Sequence, residues 1–263
     1  MSLVYSKTND ISFRKEVLSE MKVTRVQHVI QLSFLPRFFP VNCYLIEEND
    51  SLTLIDAGLP FSKKGILQAA ERIGKPIARI VLTHAHDDHV GALDAIKAHL
   101  PHVPVHISSR DARLLAGDVS LDRNEPNTPI RGGVPKKVKT RADVLLDDGD
   151  RVGSLQAVAA PGHTPGSMAF LDTRTGALIA GDAFQTRGGI AVSGQFRPWF
   201  PFPAFATWSK TLALESARRL QALRPTLLAV GHGRMIANPA DKIGQAIAEA
   251  ERGAESAAPQ RRG

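Results

Sequence analysis

The sequence predicts an α+β fold in which two mixed β-sheets pack face to face and helices lie on their outer sides. Short apolar runs of strand length follow one another in meanders, and single helical segments interrupt them. A doubly wound sheet would instead alternate strand and helix strictly. The chain has 263 residues, 43% of them apolar and 22% charged, which is typical of a globular protein with a sizeable core.

The apolar spacing of the first half predicts strands and helices in turn. Two short apolar runs, 41–46 and 52–55, flank a polar turn and predict a hairpin. Ser62 is placed to cap a helix that reaches residue 73. The β-branched run 77–82 predicts a buried strand. Further helices are predicted at 92–100 and 109–115, with a strand at 103–107.

The second half is predicted to continue with short strands and to end in helices. The segment 207–223 has the clearest amphipathic helical spacing. The globular domain is predicted to span residues 23–251. An N-terminal arm (1–22) and a flexible tail (252–263) flank it, because both lack periodicity. The predicted strands are 144–146, 155–159, 168–171, 178–180 and 227–230, and the final helix is 239–251.

Cysteine content and hydropathy exclude several classes of protein. Cys43 is the single cysteine of the chain, so an intrachain disulfide and a cysteine-cage zinc module are both excluded. We expect Cys43 to be buried, because it lies in an apolar run. No stretch approaches the roughly 18 apolar residues of a membrane helix, and the N-terminus does not resemble a signal peptide. We therefore expect a cytoplasmic protein without a membrane partner.

The net charge of +7 is compatible with an anionic partner. The excess is spread along the chain, and its densest stretch is residues 131–141, with five basic residues and no acid. We interpret that stretch as a solvated loop, with an anion-binding lip as the alternative. We expect no nucleic-acid partner, although a nuclease or a nucleic-acid-binding protein stays an alternative.

Three histidines lie within six residues, in the stretch THAHDDH directly after the predicted strand 77–82. His84 and His86 alternate at a strand end, so they point the same way and can share one metal. Asp88 and His89 follow where the chain turns into the next helix, and they can face a second metal beside the first. Imidazole nitrogen and carboxylate oxygen suit zinc, and also iron or manganese.

Three further candidate ligands also follow predicted strands, and each lies in a turn rich in glycine or proline. His163 lies in APGHTPGS, Asp182 in AGD and His232 in GHG. Glycine and proline fix tight turns and let the backbone approach closely. A single histidine of this kind is more often structural, but three cases that each close a strand favour one site shared with the first cluster.

Taken in order, these motifs resemble those of the metallo-β-lactamase superfamily. THAHDDH, PGHTPGS, GDAF and GHG match its metal-binding motifs, and residues 55–58 (IDAG) match its early Asp-x-Gly turn. The match runs from about residue 41 to residue 232, which is most of the chain. The resemblance implies a four-layer αββα sandwich with the metals at one edge, between the sheets.

The resemblance also implies a role for each motif residue. Asp182 would bridge two metals. Asp56 is not a ligand in the family, and we expect it to orient a metal-binding histidine; a simple turn aspartate is the alternative. The implied ligands are His84, His86 and His163 for the first metal, and Asp88, His89 and His232 for the second.

The implied chemistry is hydrolysis. Two divalent cations about 3.5–4 Å apart can hold one hydroxide between them, which is a nucleophile at neutral pH. We predict two zinc ions per chain, with iron or manganese as alternatives, and cleavage of an ester, thioester or lactone carbonyl. Asp88 would touch both the second metal and the attacking water, so it is the predicted catalytic proton shuttle.

An aromatic, proline-rich segment, residues 184–208, follows the predicted bridging aspartate and holds both tryptophans of the chain. It predicts a wall or lid for a small-molecule substrate that is partly apolar, and Arg187 and Arg197 would hold an anionic group of it. The alternatives are a packed cover over the core and a homodimer contact. Residues 32–40 are predicted to form the facing wall. The predicted pocket residues are Phe184, Phe196, Arg197, Trp199 and Phe200.

Several branches of the superfamily share these motifs. Homoserine-lactone lactonases place a tyrosine three residues after the bridging aspartate, where this chain has Gln185. Glyoxalase II-like thioesterases carry a C-terminal glutathione-binding domain, and about 30 residues follow His232 here. A mononuclear iron persulfide dioxygenase of the same superfamily uses only three of these ligands, and it is the alternative enzymatic function.

Overall fold

Residues 21–257 are described by the structure, which is a computed structural model of the chain. Residues 1–20 of the predicted arm and 258–263 of the predicted tail lie outside the described residues. The rest of both segments is regular, since residues 21 and 22 begin a strand and residues 252–257 continue a helix. Within residues 21–257, no helix has the length and apolar character needed to cross a bilayer.

The first sheet follows chain order and changes from antiparallel to parallel pairing at its middle. Neighbours pair antiparallel from β1 to β4 and parallel from β4 to β7. Parallel neighbours need long crossovers, and helices supply part of them. The strands are β1 (Met21–Val26), β2 (Val29–Phe34), β3 (Val41–Glu47), β4 (Leu52–Ile55), β5 (Ile77–Val81), β6 (Val105–Ser108) and β7 (Val144–Leu146).

The second sheet is mixed as well, with one parallel pair. Its order is β15-β14-β11-β10-β9-β8, in which only β11 and β14 pair parallel. A separate two-stranded hairpin, β12–β13, branches off after β11. The strands are β8 (Arg151–Val152), β9 (Leu155–Ala159), β10 (Met168–Asp172), β11 (Ala177–Ile179), β12 (Phe184–Gln185), β13 (Ala191–Val192), β14 (Leu227–Ala229) and β15 (Ile236–Ala237).

Helices lie on the outer side of each sheet or between strand ends. Three of them, α1, α3 and α4, cover the first sheet, and α6 and α7 cover the second. A 3-10 turn, Gly181–Ala183, follows β11. The helices are α1 (Lys63–Ile73), α2 (Asp87–Val90), α3 (Leu93–His99), α4 (Ser109–Leu115), α5 (Phe202–Ala206), α6 (Lys210–Ala222) and α7 (Ala240–Ala257).

Three apolar clusters hold the layers together. Between the sheets, Tyr44 and Val81 of the first sheet belong to one cluster with Phe170 and Ile179 of the second. Around Ile66, α1, α3 and α4 bury an apolar face against the first sheet, and α6 and α7 do the same against the second. Burying each large side chain contributes about 1.5–3 kcal/mol. The layers follow as helix, sheet, sheet, helix, so the predicted αββα sandwich is confirmed.

Local features differ from the sequence predictions at element ends. Ser62 does not cap α1 with its side chain; its Oγ accepts a hydrogen bond from the backbone of Leu59 at 3.0 Å instead. The helix predicted from residue 207 begins at Lys210, because Ser209 caps it through the N–H of Leu212. The hairpin β1–β2 was not predicted, because charged and apolar residues are mixed in the first strand.

Candidate metal centre

Loops at one edge of the sandwich bring the predicted ligands together. The THAHDDH stretch follows β5 of the first sheet and leads into α2. His163 follows β9, Asp182 lies in the 3-10 turn after β11, and His232 follows β14, all in the second sheet. The ligands therefore arrive from both sheets and meet between them.

Nitrogen and oxygen atoms of these side chains form three overlapping groups of candidate metal ligands. Within each group all donor atoms lie within 4.8 Å of one another. The side chains are buried except that of Asp88, which is 26% exposed and lines the pocket above the site. The groups are His84, His86 and His163; His84, His89 and Asp182; and Asp88, His89 and His232.

In the group of three histidines, ring nitrogens with free lone pairs face one another. Nε2 of His86 lies 2.9 Å from the carbonyl oxygen of Arg131, which only accepts, so Nε2 carries the proton and Nδ1 does not. That Nδ1 lies 3.0 Å from Nε2 of His163. Nδ1 of His163 in turn contacts the hydroxyl of Ser193 at 3.0 Å. When Nδ1 of His163 donates to that hydroxyl, both inward nitrogens are free to bind a cation between them.

Asp182 lies between the histidines of the two predicted metal sites. Its Oδ2 is 3.3 Å from Nε2 of His163 and 3.1 Å from Nε2 of His232. Its Oδ1 is 3.4 Å from Nε2 of His89. Nε2 of His232 also lies 3.3 Å from Oδ2 of Asp88. One carboxylate therefore reaches both groups, which is the position expected of a bridging ligand.

Outer contacts fix the direction of the other histidine rings. Asp56 accepts a hydrogen bond from Nδ1 of His89 at 2.8 Å, as the sequence analysis expected of its role. The carbonyl oxygen of Pro40 accepts from Nδ1 of His232 at 2.7 Å. Nδ1 of His84 lies 3.0 Å from the hydroxyl of Thr83. In each ring the outer nitrogen is held, so Nε2 points into the site.

Burial keeps the group of three histidines neutral. Desolvation lowers the pKa of His84 and of His86 below the usual value, and it lowers that of His163 to about 3. Neighbouring imidazoles lower the pKa of His84 further. Neutral imidazole is the form that binds a metal, so this group is ready to bind near pH 7.

In the other half of the site, neighbouring carboxylates favour protonated histidines instead of neutral ones. Burial opposes a charge on His232, yet Asp182 and Asp88 together raise its pKa to about 10. Burial likewise opposes a charge on His89, whose pKa is raised because of the carboxylates around it. The two histidines hold the pKa of Asp182 and of Asp88 below the usual range in return, against desolvation. The carboxylates are ionised and favour a positive charge at this point.

The donor set fits divalent metal ions. Nε2 of His84, Nε2 of His89 and Oδ1 of Asp182 are buried without a hydrogen-bond partner among residues 21–257. Leaving one buried polar atom unpaired costs about 1–3 kcal/mol, so three at one place indicate a missing partner. Gly231 packs closely against these donor atoms, because a Cβ there would lie 2.0 Å from Oδ1 of Asp182. Imidazole and carboxylate donors suit zinc, iron or manganese.

The match to a known family covers this whole set of ligands. The family model of the metallo-beta-lactamase superfamily matches residues 36–232. The chain belongs to the metallo-beta-lactamase superfamily. All seven predicted ligands fall inside the matched residues, and the resemblance inferred from the motifs is confirmed.

Relatives of this superfamily chain include proteins described as metallo-hydrolases. This chain is 57% identical over 233 residues to the uncharacterized protein YobT of Bacillus subtilis. The aligned residues cover 89% of this chain and 100% of YobT. This chain is 31% identical to the probable metallo-hydrolase YflN of the same organism, over 73% of this chain and 80% of the relative. A hydroxyacylglutathione hydrolase of Aeromonas hydrophila is 26% identical, over 59% of this chain and 50% of the relative.

Solved structures of the superfamily share the fold. A metallo-beta-lactamase from Pontibacter korlensis superposes with a TM-score of 0.67 at 16% identity, covering 88% of this chain and 99% of that one. TTHA1623, solved in a di-iron-bound form, superposes with a TM-score of 0.55 at 27% identity, covering 77% and 92%. Together with the His/Asp cluster, the family and its relatives indicate a metallo-hydrolase-type enzyme that binds divalent metal.

A pocket of about 320 Å³ lies directly above the candidate ligands. Its floor is formed by His86, Asp88, His163, Asp182 and His232. Its walls come from two separate segments, as the sequence analysis expected in outline. Phe39 belongs to the predicted facing wall at residues 32–40. The opposite wall lies in the aromatic segment and consists of Phe202, Pro203, Phe205 and Ala206 of α5.

The aromatic residues that the sequence predicted for the pocket do not line it. The hairpin β12–β13 places the first part of the aromatic segment in the core. Phe184 is fully buried between the second sheet and its helices. Trp199 is 86% exposed and does not line the pocket. Phe196 lies on the outer side, in contact with Phe205. Phe200 is buried behind the wall, with its ring centroid 5.3 Å from that of His232.

The two arginines predicted to hold an anion also point away from the pocket. The guanidinium of Arg197 donates to the carbonyl of Ile190 and forms an ion pair with Glu249 at 2.6 Å. The guanidinium of Arg187 donates to the carbonyl of Arg37. Their positive charges are used in holding segments of the chain together, so the prediction of an arginine clamp inside this pocket was wrong.

Asp111 is a residue of the site that the sequence analysis missed. Its buried carboxylate accepts hydrogen bonds from the N–H of Ala85 at 2.9 Å, the N–H of Gly166 at 2.8 Å and the hydroxyl of Thr164 at 2.8 Å. Ala85 lies between two of the histidines, and Thr164 follows His163. Asp111 therefore ties together the two loops that supply the group of three histidines. Its position at the start of a short helix gave no signal.

The loop between α4 and β7 contributes through its backbone. Besides the carbonyl of Arg131, Gly132 lies against the site, since a Cβ there would be 2.5 Å from Nε2 of His86. The carbonyl of Gly133 accepts from the N–H of Asp87 at 2.7 Å. Side chains of residues 131–141 are largely exposed, as expected of a solvated loop, but their backbone fixes the ring of His86.

A buried amide and a phenol hold the loop of the last histidine. Nδ2 of Asn42 donates to the carbonyls of Val230 and Gly233, each at 2.8 Å. The hydroxyl of Tyr44 donates to the carbonyl of Val230 at 2.6 Å. Both residues lie on β3 of the first sheet, so they fasten the His232 loop of the second sheet across the interface. Neither had a motif that sequence reasoning could recognise.

Proposed function

We propose that this protein is a metal-dependent hydrolase that cleaves an ester, thioester or lactone carbonyl in a small-molecule substrate. The observation that carries the proposal is the convergence of five histidines and two aspartates beneath one pocket, where five of the seven form the floor and three buried donor atoms are unpartnered within residues 21–257. The large majority of buried polar side-chain atoms have a hydrogen-bond partner, so three unpartnered donors in one cluster favour a bound ion. The relatives described as metallo-hydrolases support the same class of reaction.

In this proposal His84, His86 and His163 hold one cation, and Asp88, His89 and His232 hold the second. Asp182 lies between the two groups of ligands and would contribute its carboxylate to holding both cations. Divalent cations here would acidify a water molecule and polarise the carbonyl of the substrate. The residues of the chain do the remaining work, because they hold these ligands in one geometry and provide a path for the proton.

Asp88 is the proposed proton shuttle. Among the seven ligands it has the exposed carboxylate, and it lines the pocket where a substrate would lie. A carboxylate at this position could accept a proton from a water molecule held in the pocket. It would then pass that proton to the leaving group on the same side of the pocket.

The outer contacts are proposed to fix the ligands before the substrate arrives. Asp56 holds the ring of His89, the carbonyl of Pro40 holds that of His232, and the carbonyl of Arg131 holds that of His86. A catalytic site held within fractions of an ångström in this way does not need to reorganise during the reaction.

Zinc is the proposed metal, with iron or manganese as alternatives. The histidine-rich donor set suits zinc, while the di-iron-bound form of TTHA1623 supports iron. Elemental analysis of the purified protein, followed by reloading with each metal, decides between them. About two zinc ions per chain is the expected result, whereas one iron per chain would favour the persulfide dioxygenase alternative.

Hydrolysis is tested with metal-loaded protein on a panel of esters, thioesters, lactones and phosphodiesters. We expect turnover of at least one carbonyl substrate and none of the phosphodiesters. Asp182→Ala should lose metal and activity together. Buried Asp172 lies at the opposite end of β10 and β11 from Asp182 and pairs with Arg174 at 2.8 Å, so Asp172→Asn is a control that should keep both. Full activity in Asp182→Ala would exclude the two-metal proposal.

A further inference from the structure

The wall of the pocket above the candidate ligands is aromatic and partly open to solvent. The ring of Phe39 lies 5.0 Å from that of Phe202, and the ring of Phe205 lies 6.0 Å from that of Phe196. Phe202 is 53% exposed and Phe205 is 63% exposed, although both line the pocket. Large apolar side chains exposed next to each other on a folded protein mark a binding surface.

No lysine or arginine among residues 21–257 lines this pocket. The ionised groups on its lining are the carboxylates of Asp88 and Asp182 and, in the metal-free protein, the ring of His232, whereas His86 and His163 are neutral. Arg187 and Arg197 are occupied by carbonyl groups and by Glu249 elsewhere. An anionic group on a substrate, away from the scissile bond, would therefore lose its water against phenylalanine rings and gain no partner.

The size of the pocket shows where the rest of a substrate would lie. Its volume of about 320 Å³ is at the small end of ligand pockets, which span about 300–1,000 Å³. The scissile group and a few carbon atoms fill such a space. A longer chain must continue over the exposed faces of Phe202 and Phe205, which form the rim.

From these observations we infer that the substrate carries an uncharged apolar chain, and that Phe39, Phe202 and Phe205 form its binding subsite. This inference rests on the proposed function, because it takes the carbonyl to be cleaved at the floor of the pocket. The subsite selects by burial of methylene groups, and it rejects chains that end in a carboxylate. It replaces the anion clamp that the sequence had predicted.

The test uses the metal-loaded full chain and two series of nitrophenyl and alkyl esters with their thioesters. One series lengthens the acyl chain and the other lengthens the leaving group. Burial of each methylene should raise kcat/KM by about fourfold until the chain passes the rim. A matched acyl chain that ends in a carboxylate should lose at least about tenfold against its methyl-ended counterpart.

Variants of the rim separate the subsite from general surface effects. Phe202→Ala and Phe205→Ala should each lower kcat/KM about tenfold more for the octanoyl ester than for the acetyl ester. Both side chains are largely exposed, so folding should be unaffected, and thermal unfolding checks this. Trp199→Ala is the matched control, because Trp199 is exposed and aromatic but does not line the pocket; it should behave as wild type.

Binding measurements keep this inference distinct from the proposed function. Calorimetry with a long-chain methyl ketone and with the keto acid of equal length needs no turnover. Preference for the ketone, weakened in Phe202→Ala and not in Trp199→Ala, supports the subsite even if no ester is cleaved. Equal affinity for the two ligands, or no dependence on chain length in either ester series, would overturn it.

Discussion

Oδ2 of Asp56 lies 2.8 Å from Nδ1 of His89, and both side chains are buried. Asp56 reaches this position from a left-handed backbone conformation, with φ of 60°, which is uncommon outside glycine. The same carboxylate accepts from the N–H and the hydroxyl of Thr83, each at 2.8 Å. It therefore joins the end of β4 to the loop after β5 and aims one ligand into the site.

We expect Asp56→Ala to weaken metal binding without removing a ligand. The ring of His89 loses the partner that fixes its orientation, and loss of such a partner typically costs 10–100-fold in metal affinity. Competition with a chromogenic chelator measures that affinity in the wild type and the variant. Asp87→Asn is the control, since Asp87 lies in the same motif but is exposed, and its metal affinity should not change.

The close packing around Asp182 predicts that no side chain is accommodated at Gly231. A Cβ at this position would lie 2.0 Å from Oδ1 of Asp182 and 2.7 Å from Cε1 of His89. Gly231→Ala should therefore displace one of the ligands and reduce the metal content, as measured by elemental analysis after dialysis. Gly253→Ala on α7 meets no atom within 4 Å and should retain wild-type metal content. Wild-type metal content in Gly231→Ala as well would contradict the described packing.

The motifs made the ligands and one support, Asp56, predictable, while the other supports were not. His84, His86, Asp88 and His89 lie within six residues after one strand, so their convergence could be derived from strand alternation and the turn that follows. Asp111 acts on loops that lie far from it in sequence, and a short helix start has no characteristic spacing. Other supports, such as the carbonyls that accept from His86 and His232, belong to the backbone and have no side-chain signal.

For the pocket as well, the sequence of the aromatic segment predicted only part of what the structure shows. Its composition correctly predicted an apolar wall, but composition does not say which rings face the ligands. The hairpin that begins at Phe184 buries that ring, and a later short helix presents Phe202 and Phe205 instead. Both arginines of the segment found partners in other parts of the chain. Which side a residue faces depends on turns whose geometry the sequence did not reveal.

Proton release should accompany binding of the cation held by Asp88, His89 and His232. The pKa of His232 is raised to about 10 because of the carboxylates beside it, so its ring is protonated in metal-free protein near pH 7. A cation binds only the deprotonated ring and must displace that proton. Affinity for this cation should rise with pH and fall as the solution becomes more acidic.

The three-histidine group should behave differently, which gives an internal comparison. Burial lowers the pKa of His163 to about 3, so that ring is already neutral near pH 7 and releases no proton. Calorimetric titration in buffers of different ionisation enthalpy counts the protons released at each binding step. We expect almost no proton to be released in the step that fills the three-histidine group, whether that step is the tighter or the weaker one. The other step should release at least part of one proton. Equal release in both steps would contradict this assignment.

The carboxylate of Asp111 holds the two loops that supply the three-histidine group. In Asp111→Asn, an amide N–H2 must face either the N–H of Gly166 or that of Ala85, so one hydrogen bond becomes a repulsive contact. We expect a loss of about 1–3 kcal/mol in unfolding free energy, measured by denaturant titration with a chelator present. Because the loops also carry ligands, cobalt binding to the three-histidine group should weaken in parallel.

Asp94 provides a matched comparison that separates the two effects of that change. It also accepts three hydrogen bonds from another segment, from the N–H of Lys139 and from the N–H and hydroxyl of Thr140. Those contacts lie outside the loops that supply ligands, and begin eight residues beyond Arg131, whose carbonyl contacts His86. Asp94→Asn should therefore reduce stability without altering the cobalt absorption spectrum, whereas Asp111→Asn should alter both. If the two variants bind cobalt equally well, Asp111 serves the fold alone and does not position the histidines.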